Sequence, residues 1–140
     1  MADAVATQTI FDGDRMAIQK FTNISDGTGE NKALKVDVSA LLPNNYGIAC
    51  NAVTITKIHA STHGMEVLMY WDATTDVLIQ TIPQNSQYTF DFEKFGGLTN
   101  NAGTGKTGDI LFSTADASAG DAYTITLEMV KHYPNPYDSI

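Results

Sequence analysis

Three groups of residues have types and spacings that could do chemistry. Gly103-Thr104-Gly105-Lys106-Thr107 invites a phosphate-binding reading. A phosphate loop of that kind needs a glycine five positions before the second one, where this chain has Asn100. It also needs a helix afterwards, so that backbone N–H groups point at phosphate. The residues that follow, DILFSTA, read as a strand, and the glycines are better explained as letting a long loop bend. His59 and His63 are four apart, a ligand spacing on a helix. On an extended strand the same spacing separates the side chains by roughly 13 Å, too far for one zinc with bonds of about 2 Å. Only a turn at Thr62 and Gly64 would fold them closer.

The third group is acidic. Asp12 with Asp14, Asp26 with Glu30, and Asp72 with Asp76 have oxygen ligands at short range. None matches the calcium loop that closes on a bidentate Glu, and carboxylates in turns are the ordinary finding. Choosing two of the 16 acids as a glycosidase pair has no geometric basis. No G-x-S-x-G elbow is present for a serine nucleophile. Cys50 is the sole cysteine, which excludes an intrachain disulfide and reads as a small apolar filler at a strand start. Trp71 and the tyrosines could stack on a sugar, but such residues are more often core. Asn23-Ile24-Ser25 is formally a glycosylation sequon. The expectation is therefore a chain with no cofactor, no metal and no catalytic residues.

Composition narrows the partners. The net charge is −8, and the eight basic residues are scattered singly, so nothing is available to displace counterions from nucleic acid. The start, MADAVATQTIFDGDR, has neither a basic stretch nor a long apolar run, and does not read as a secretory signal. No run approaches the roughly 20 apolar residues of a membrane helix. A chain of 140 residues, 43% apolar, fits one domain with a core of its own.

The elements that must position these residues are strands. Val53 to Pro83 reads as three consecutive strands, VTITKIHAS, MEVLMYWD and DVLIQTI, forming a meander. The first switches its apolar face near Lys57, the mark of a bulge or a crossing between sheets. The second is apolar on both faces and belongs in the middle of a sheet. Before it, Asp12-Gly13-Asp14 signals a turn, Met16 and Ile18 begin a half-buried strand, and Leu34, Val36 and Val38 alternate cleanly in ALKVDVSALL. After it, Tyr88, Phe90 and Phe92 give a strand with an aromatic face, and Gly96–Gly108 is a long loop. DILFSTA and AYTITLEMVKHY form the last pair. LLPNNYG and DFEKFGG are the only places for a helical turn. Eight or nine short strands with regular turn signals predict an all-β, single-domain antiparallel β-sandwich, jelly-roll-like. Residues 1–9 read as an N-terminal arm, 10–132 as the sandwich, and 133–140 as a proline-containing C-terminal arm.

Three stretches carry a resemblance: TQTIFDGDRMAIQKFTNISDGTGE, YWDATTDVLIQTIPQNS and NNAGTGKTGDILFSTADASAGDAYTITLEMVKHY. Together they are similar to a family of small virion structural proteins of tailed bacteriophages from aquatic bacteria, over Thr7 to Tyr133. The resemblance implies a non-enzymatic head decoration (cement) protein that binds the major capsid protein. A tail, neck or fibre component is the nearest rival, and a glycan-binding module on the particle exterior, using Trp71, Tyr70 or the Gly96–Gly108 loop, is another. It also implies assembly in the host cytoplasm, residence on the particle exterior, and a homo-oligomer, a trimer by analogy with capsid threefold positions. Ile10, Phe11, Tyr133, Pro134, Pro136, Tyr137 and Ile140 are the expected partner contacts, with no nucleic acid and no membrane involved.

Overall fold

A computed structural model describes residues 3–133, and the chain in it is all β. Nine strands are joined by turns and two short 3₁₀ segments: β1 (Ala4–Asp12), β2 (Met16–Ile24), β3 (Ala33–Val36), β4 (Ala52–His63), β5 (Glu66–Trp71), β6 (Val77–Ile82), β7 (Gln87–Asp91), β8 (Ile110–Ala115) and β9 (Ala122–His132). They form two antiparallel sheets, ordered β1-β2-β9-β4-β7 and β3-β8-β5-β6. Among the described residues, no helix is long and apolar enough to cross a membrane.

The pairing has a simple logic. β2 pairs with β9, β3 with β8, β4 with β7, and β5 with β6. The chain is thus one long double-stranded ribbon whose tip is the β5–β6 hairpin. Rolled on itself, the ribbon also pairs β4 with β9 and β5 with β8. This is the eight-stranded jelly roll, with β1 added as a ninth strand outside β2.

Alternation explains the core. Along β9, Tyr123, Ile125, Leu127 and Met129 point inward and are buried, and along β5 Val67, Met69 and Trp71 do the same. Phe112 lies between the two sheets, edge-on to Phe21 at 5.4 Å and to Tyr123 at 5.9 Å. Such pairs add about 0.5–1.5 kcal/mol each beyond the area they bury.

Several expectations change. The meander over Val53–Pro83 is broken, because β4 and β5 lie in different sheets. The chain crosses at Gly64, which adopts φ +79° against the Asp121 carboxylate, where a Cβ would collide. β8 and β9 likewise lie in opposite sheets rather than forming a hairpin. The strand read through Val38 ends at Val36. Asp37 accepts hydrogen bonds from the Ser39 N–H and hydroxyl and so caps a 3₁₀ turn, Val38–Ala40, upstream of the LLPNNYG stretch where a turn was expected. A register shift between Leu34 and Val36 leaves Leu34 exposed and Val36 buried. The second 3₁₀ turn, Glu93–Phe95, falls inside DFEKFGG as expected. The bulge near Lys57 is present, between Ile55 and Lys57, and lies where β7 begins to pair with β4.

The boundary expected between an arm ending at residue 9 and a domain starting at residue 10 falls inside β1. A backbone ladder to β2 from Ala4↔Ile24 to Asp12↔Ala17 holds this segment as an edge strand. The proposed C-terminal contacts Pro134, Pro136, Tyr137 and Ile140 lie outside the described residues.

Candidate docking surfaces and the polar clusters that frame them

Most of the residues singled out for chemistry are occupied structurally. The Gly103–Thr107 loop is zipped to the β5–β6 turn: Thr107 donates to the Asp72 carboxylate at 2.8 Å, and Thr74 N–H donates to the Thr104 carbonyl at 3.1 Å. β8 follows it, so no helix is there to receive a phosphate. His59 and His63 stand on one strand, β4, and His59 pairs with Glu128 at 2.5 Å. Asp76 is bound to Lys32 and to the Ala73 N–H, and Asp14 accepts from the Asn45 N–H. Among the described residues no three histidines, cysteines or acids converge as a metal site. Cys50 is buried, and burial pushes its thiol pKa up. Trp71 is 2% exposed and belongs to the core, so it offers no sugar platform. The half-buried Tyr70 ring has the Lys32 ammonium 4.9 Å from its centroid. Asn23, the sequon asparagine, is fully buried beside Asp3 and Glu30, where a glycan cannot reach it.

Two polar clusters close the ends of the roll. At one end Asp3 folds back, and its carboxylate accepts from Asn23, the Asp26 and Gly29 N–H groups and the Thr28 hydroxyl. Burial works against its charge, but these hydrogen bonds, led by Asn23, hold its pKa down at about 2. Alongside it Glu30 accepts from Tyr123 at 2.6 Å and Asn23 at 2.8 Å and pairs with Lys35, both charges buried. Burial, then the bond to Glu30, drives the Tyr123 phenol far above its usual pKa.

At the other end is Lys131, a lysine whose side chain is 0% exposed. It donates to Asp12 at 2.6 Å, to the Gly13 carbonyl at 2.8 Å and to the Leu42 carbonyl at 2.7 Å. Burial would lower its pKa, yet the interactions with Asp12 and Tyr133 together outweigh that and the net shift is upward. Asp12 also accepts from the Leu42 N–H. Tyr133, one of the expected partner contacts, stands over Lys131 and donates to the Asp14 carbonyl. The reading by residue type missed Lys131. The signal was present: it continues the inward series Tyr123, Ile125, Leu127, Met129.

Among the described residues, apolar side chains are exposed on both edges of the five-stranded sheet, and also at Leu34, Leu42, Tyr46 and Leu78. On the β7 edge, Tyr88, Phe90, Phe92 and Phe95 form a ridge, with successive ring centroids 4.9, 6.2 and 5.9 Å apart, its middle pair Phe90 and Phe92 half-buried against the core and its ends exposed. Tyr88 is 61% and Phe95 67% exposed. The ridge is held rigidly. Phe92 N–H donates to the Thr56 carbonyl, Leu98 exchanges hydrogen bonds with Ile55, and Gly97 passes so close to the Ile55 carbonyl that a Cβ would lie 2.8 Å from its oxygen. A shallow apolar hollow of about 310 Å³ lies beside the ridge, lined by Pro83, Ser86, Tyr88 and Phe90. The expected contacts Ile10 and Phe11 sit on the opposite edge, on β1, each about half exposed. The outer face between the edges is polar, with an open groove of about 470 Å³ around His59, Ser61, Gln87, Thr89, Thr124 and Thr126.

Comparison with known proteins adds little beyond the architecture. No protein-family model matches the chain, and no curated protein does. Among solved structures, a mutant family 29 carbohydrate-binding module aligns over 96% of this chain and 100% of that one, with 13% identity and a TM-score of 0.40. At that distance the likeness transfers no residue role. The class that the topology itself defines is an antiparallel β-sandwich, a jelly roll with one added edge strand.

Proposed function

We propose that the chain is a non-enzymatic structural protein of a bacteriophage virion, a head-decorating protein that seats on the major capsid protein and stiffens the shell. The observation that carries this reading is the rigid aromatic ridge Tyr88–Phe95 on a free sheet edge. Aromatic side chains bury large area for few lost rotamers and dominate the energetics of interfaces. A ridge of them backed by a pinned loop is suited to docking on a preformed surface. The sequence resemblance over Thr7–Tyr133 supports the same reading. So, as a fold-level analogy only, does the use of jelly rolls in capsids. The glycan-binding alternative loses its Trp71 platform, since that ring is in the core.

The test uses heads lacking the protein, saturated with wild-type chain or with Tyr88→Ser/Phe95→Ser. Wild-type chain should occupy regular sites in cryo-EM images and raise the temperature of DNA release. The double variant, whose two side chains are mostly exposed, should melt like wild type yet bind at least about tenfold more weakly. Heads that gain neither density nor thermal resistance at saturation refute the reading. Density confined to tail or neck moves the protein to that part of the particle.

A further inference from the structure

β1 is a nine-residue edge strand, exposed along almost its whole length. Among the described residues no backbone hydrogen bond reaches its free side. Natural edge strands are normally blunted by lysine, proline, bulges, extreme shortness or covering loops. β1 has no lysine and no proline, its sequence being AVATQTIFD. A bulge between Thr9 and Phe11 is the one such device it carries; it lies near the C-terminal end of the strand, leaves Ala4–Thr9 in regular register with β2, and leaves Ile10 54% exposed.

What fits such an edge can be read from its order of residues. Thr7-Gln8-Thr9 is the same in either direction, and it is flanked by Ala4-Val5-Ala6 on one side and Ile10-Phe11 on the other. A twofold interface must be self-complementary. If β1 meets its own copy antiparallel about Gln8, Gln8 faces Gln8, Thr7 faces Thr9, and the Ala-Val-Ala segment of each copy lies beside Ile10 and Phe11 of the other. Charge points the same way. The chain carries −8 overall, which opposes self-association in general, but Ala4–Phe11 is uncharged. The two carboxylates that bracket it are both turned into the body: Asp3 onto Asn23, Asp26 and Thr28, and Asp12 onto Lys131. The strand is thus a place where two acidic copies meet without repulsion.

We infer that two copies of this chain pair through β1 about a twofold axis at Gln8, joining their five-stranded sheets into one continuous ten-stranded sheet. This is a twofold pair rather than the threefold ring that the virion resemblance implies, and it does not depend on the partner in the particle. Edge pairing alone buries less than the roughly 1,200–2,000 Å² of a stable complex, so the dimer forms reversibly with concentration.

The experiment is sedimentation equilibrium on the full chain, with Gln8→Glu and Gln8→Lys made separately. Gln8 stands on an exposed strand directly opposite Lys20 of β2. Both variants should therefore keep the wild-type circular dichroism, with Gln8→Glu melting slightly higher and Gln8→Lys slightly lower than wild type. Wild type should move from the 15.1 kDa monomer to twice that mass as concentration rises. Each variant alone places like charges face to face and should weaken association by up to about fivefold. An equal mixture of the two should dimerise at least as well as wild type, because opposite charges then face each other. Wild type that stays monomeric up to about 1 mM, or that forms trimers, overturns the inference. So does a mixture that associates no better than either variant.

Discussion

Replacing Asp12 with alanine tests how the open end of the roll is closed. In the folded chain the ammonium of Lys131 is 0% exposed and has three oxygen partners, of which Asp12 is the only charged one. Removing one partner of a buried ion pair leaves an uncompensated charge and typically costs about 3–5 kcal/mol. The Gly13 and Leu42 carbonyls remain, which places the expected loss at the lower end, about 3 kcal/mol. A domain of this size is stable by roughly 7–15 kcal/mol, so the loss is large but survivable. In urea the midpoint should fall by about 1–2 M with the slope unchanged, and the melting temperature by about 10 °C. Lys131→Met should cost less, because it deletes the buried charge and leaves Asp12 near the surface, still accepting from the Leu42 N–H. The pH dependence has a definite sign. The folded pKa of Lys131 lies above its ordinary 10.5, so the pair's contribution is complete below that value and is lost as pH rises through the raised folded pKa. In Asp12→Ala the buried ammonium loses a partner that raised its pKa. The gap in melting temperature between wild type and variant should therefore be largest at neutral pH and narrow progressively as pH rises toward and past 10.5. A loss under about 1 kcal/mol for Asp12→Ala, or a gap indifferent to alkaline pH, refutes the argument that this pair holds the end shut.

Two further outcomes follow from positions described above. Trp71→Ala removes the largest side chain of the core and should cost about 3–5 kcal/mol, with lost near-ultraviolet dichroism; a variant that melts like wild type contradicts its burial. Asp3, with its pKa held at about 2 by hydrogen bonds that outweigh burial, contributes in full above its ordinary 3.8 and less as pH falls toward 2. Limited proteolysis should find the Asp26–Glu30 loop protected at neutral pH, cut in Asp3→Asn, and losing protection in wild type only below about pH 4; equal cutting of wild type and Asp3→Asn at neutral pH would count against that role.

Much of the architecture was legible because period-2 alternation survives burial. The interior place of β5 in its sheet, the bulge near Lys57 and the Asp12-Gly13-Asp14 turn all followed from side-chain order. Sheet membership did not. A hairpin and a crossing between sheets use the same turn residues, so Thr62-His63-Gly64 and Asp116–Asp121 read as ordinary turns. The difference lies in which distant strand each ladder finds. β1 was read as an arm because Ala4–Thr9 has no apolar alternation, a feature of its position beyond the edge of the opposing sheet. Asp37 ended β3 early through its own carboxylate, which competes locally with the ladder. The aromatic ridge was visible as Tyr88, Phe90 and Phe92, but its exposure depended on β7 being an edge strand. The buried state of Lys131 was hidden by residue type, since an ammonium at an inward position becomes tolerable only when Asp12, from the far end of the sequence, arrives beside it.

The ribbon topology bears on how the chain is made. β2 finds its inner neighbour only in β9, through contacts as remote as Met16 with Val130. Loops that long close slowly, and non-local pairing delays folding. During synthesis the β5–β6 tip can form early, whereas β2 must wait until the last strand leaves the ribosome. A messenger truncated within β9 should therefore yield not a shortened domain but an unclosed, sticky ribbon, cleared by proteases or lost to inclusion bodies.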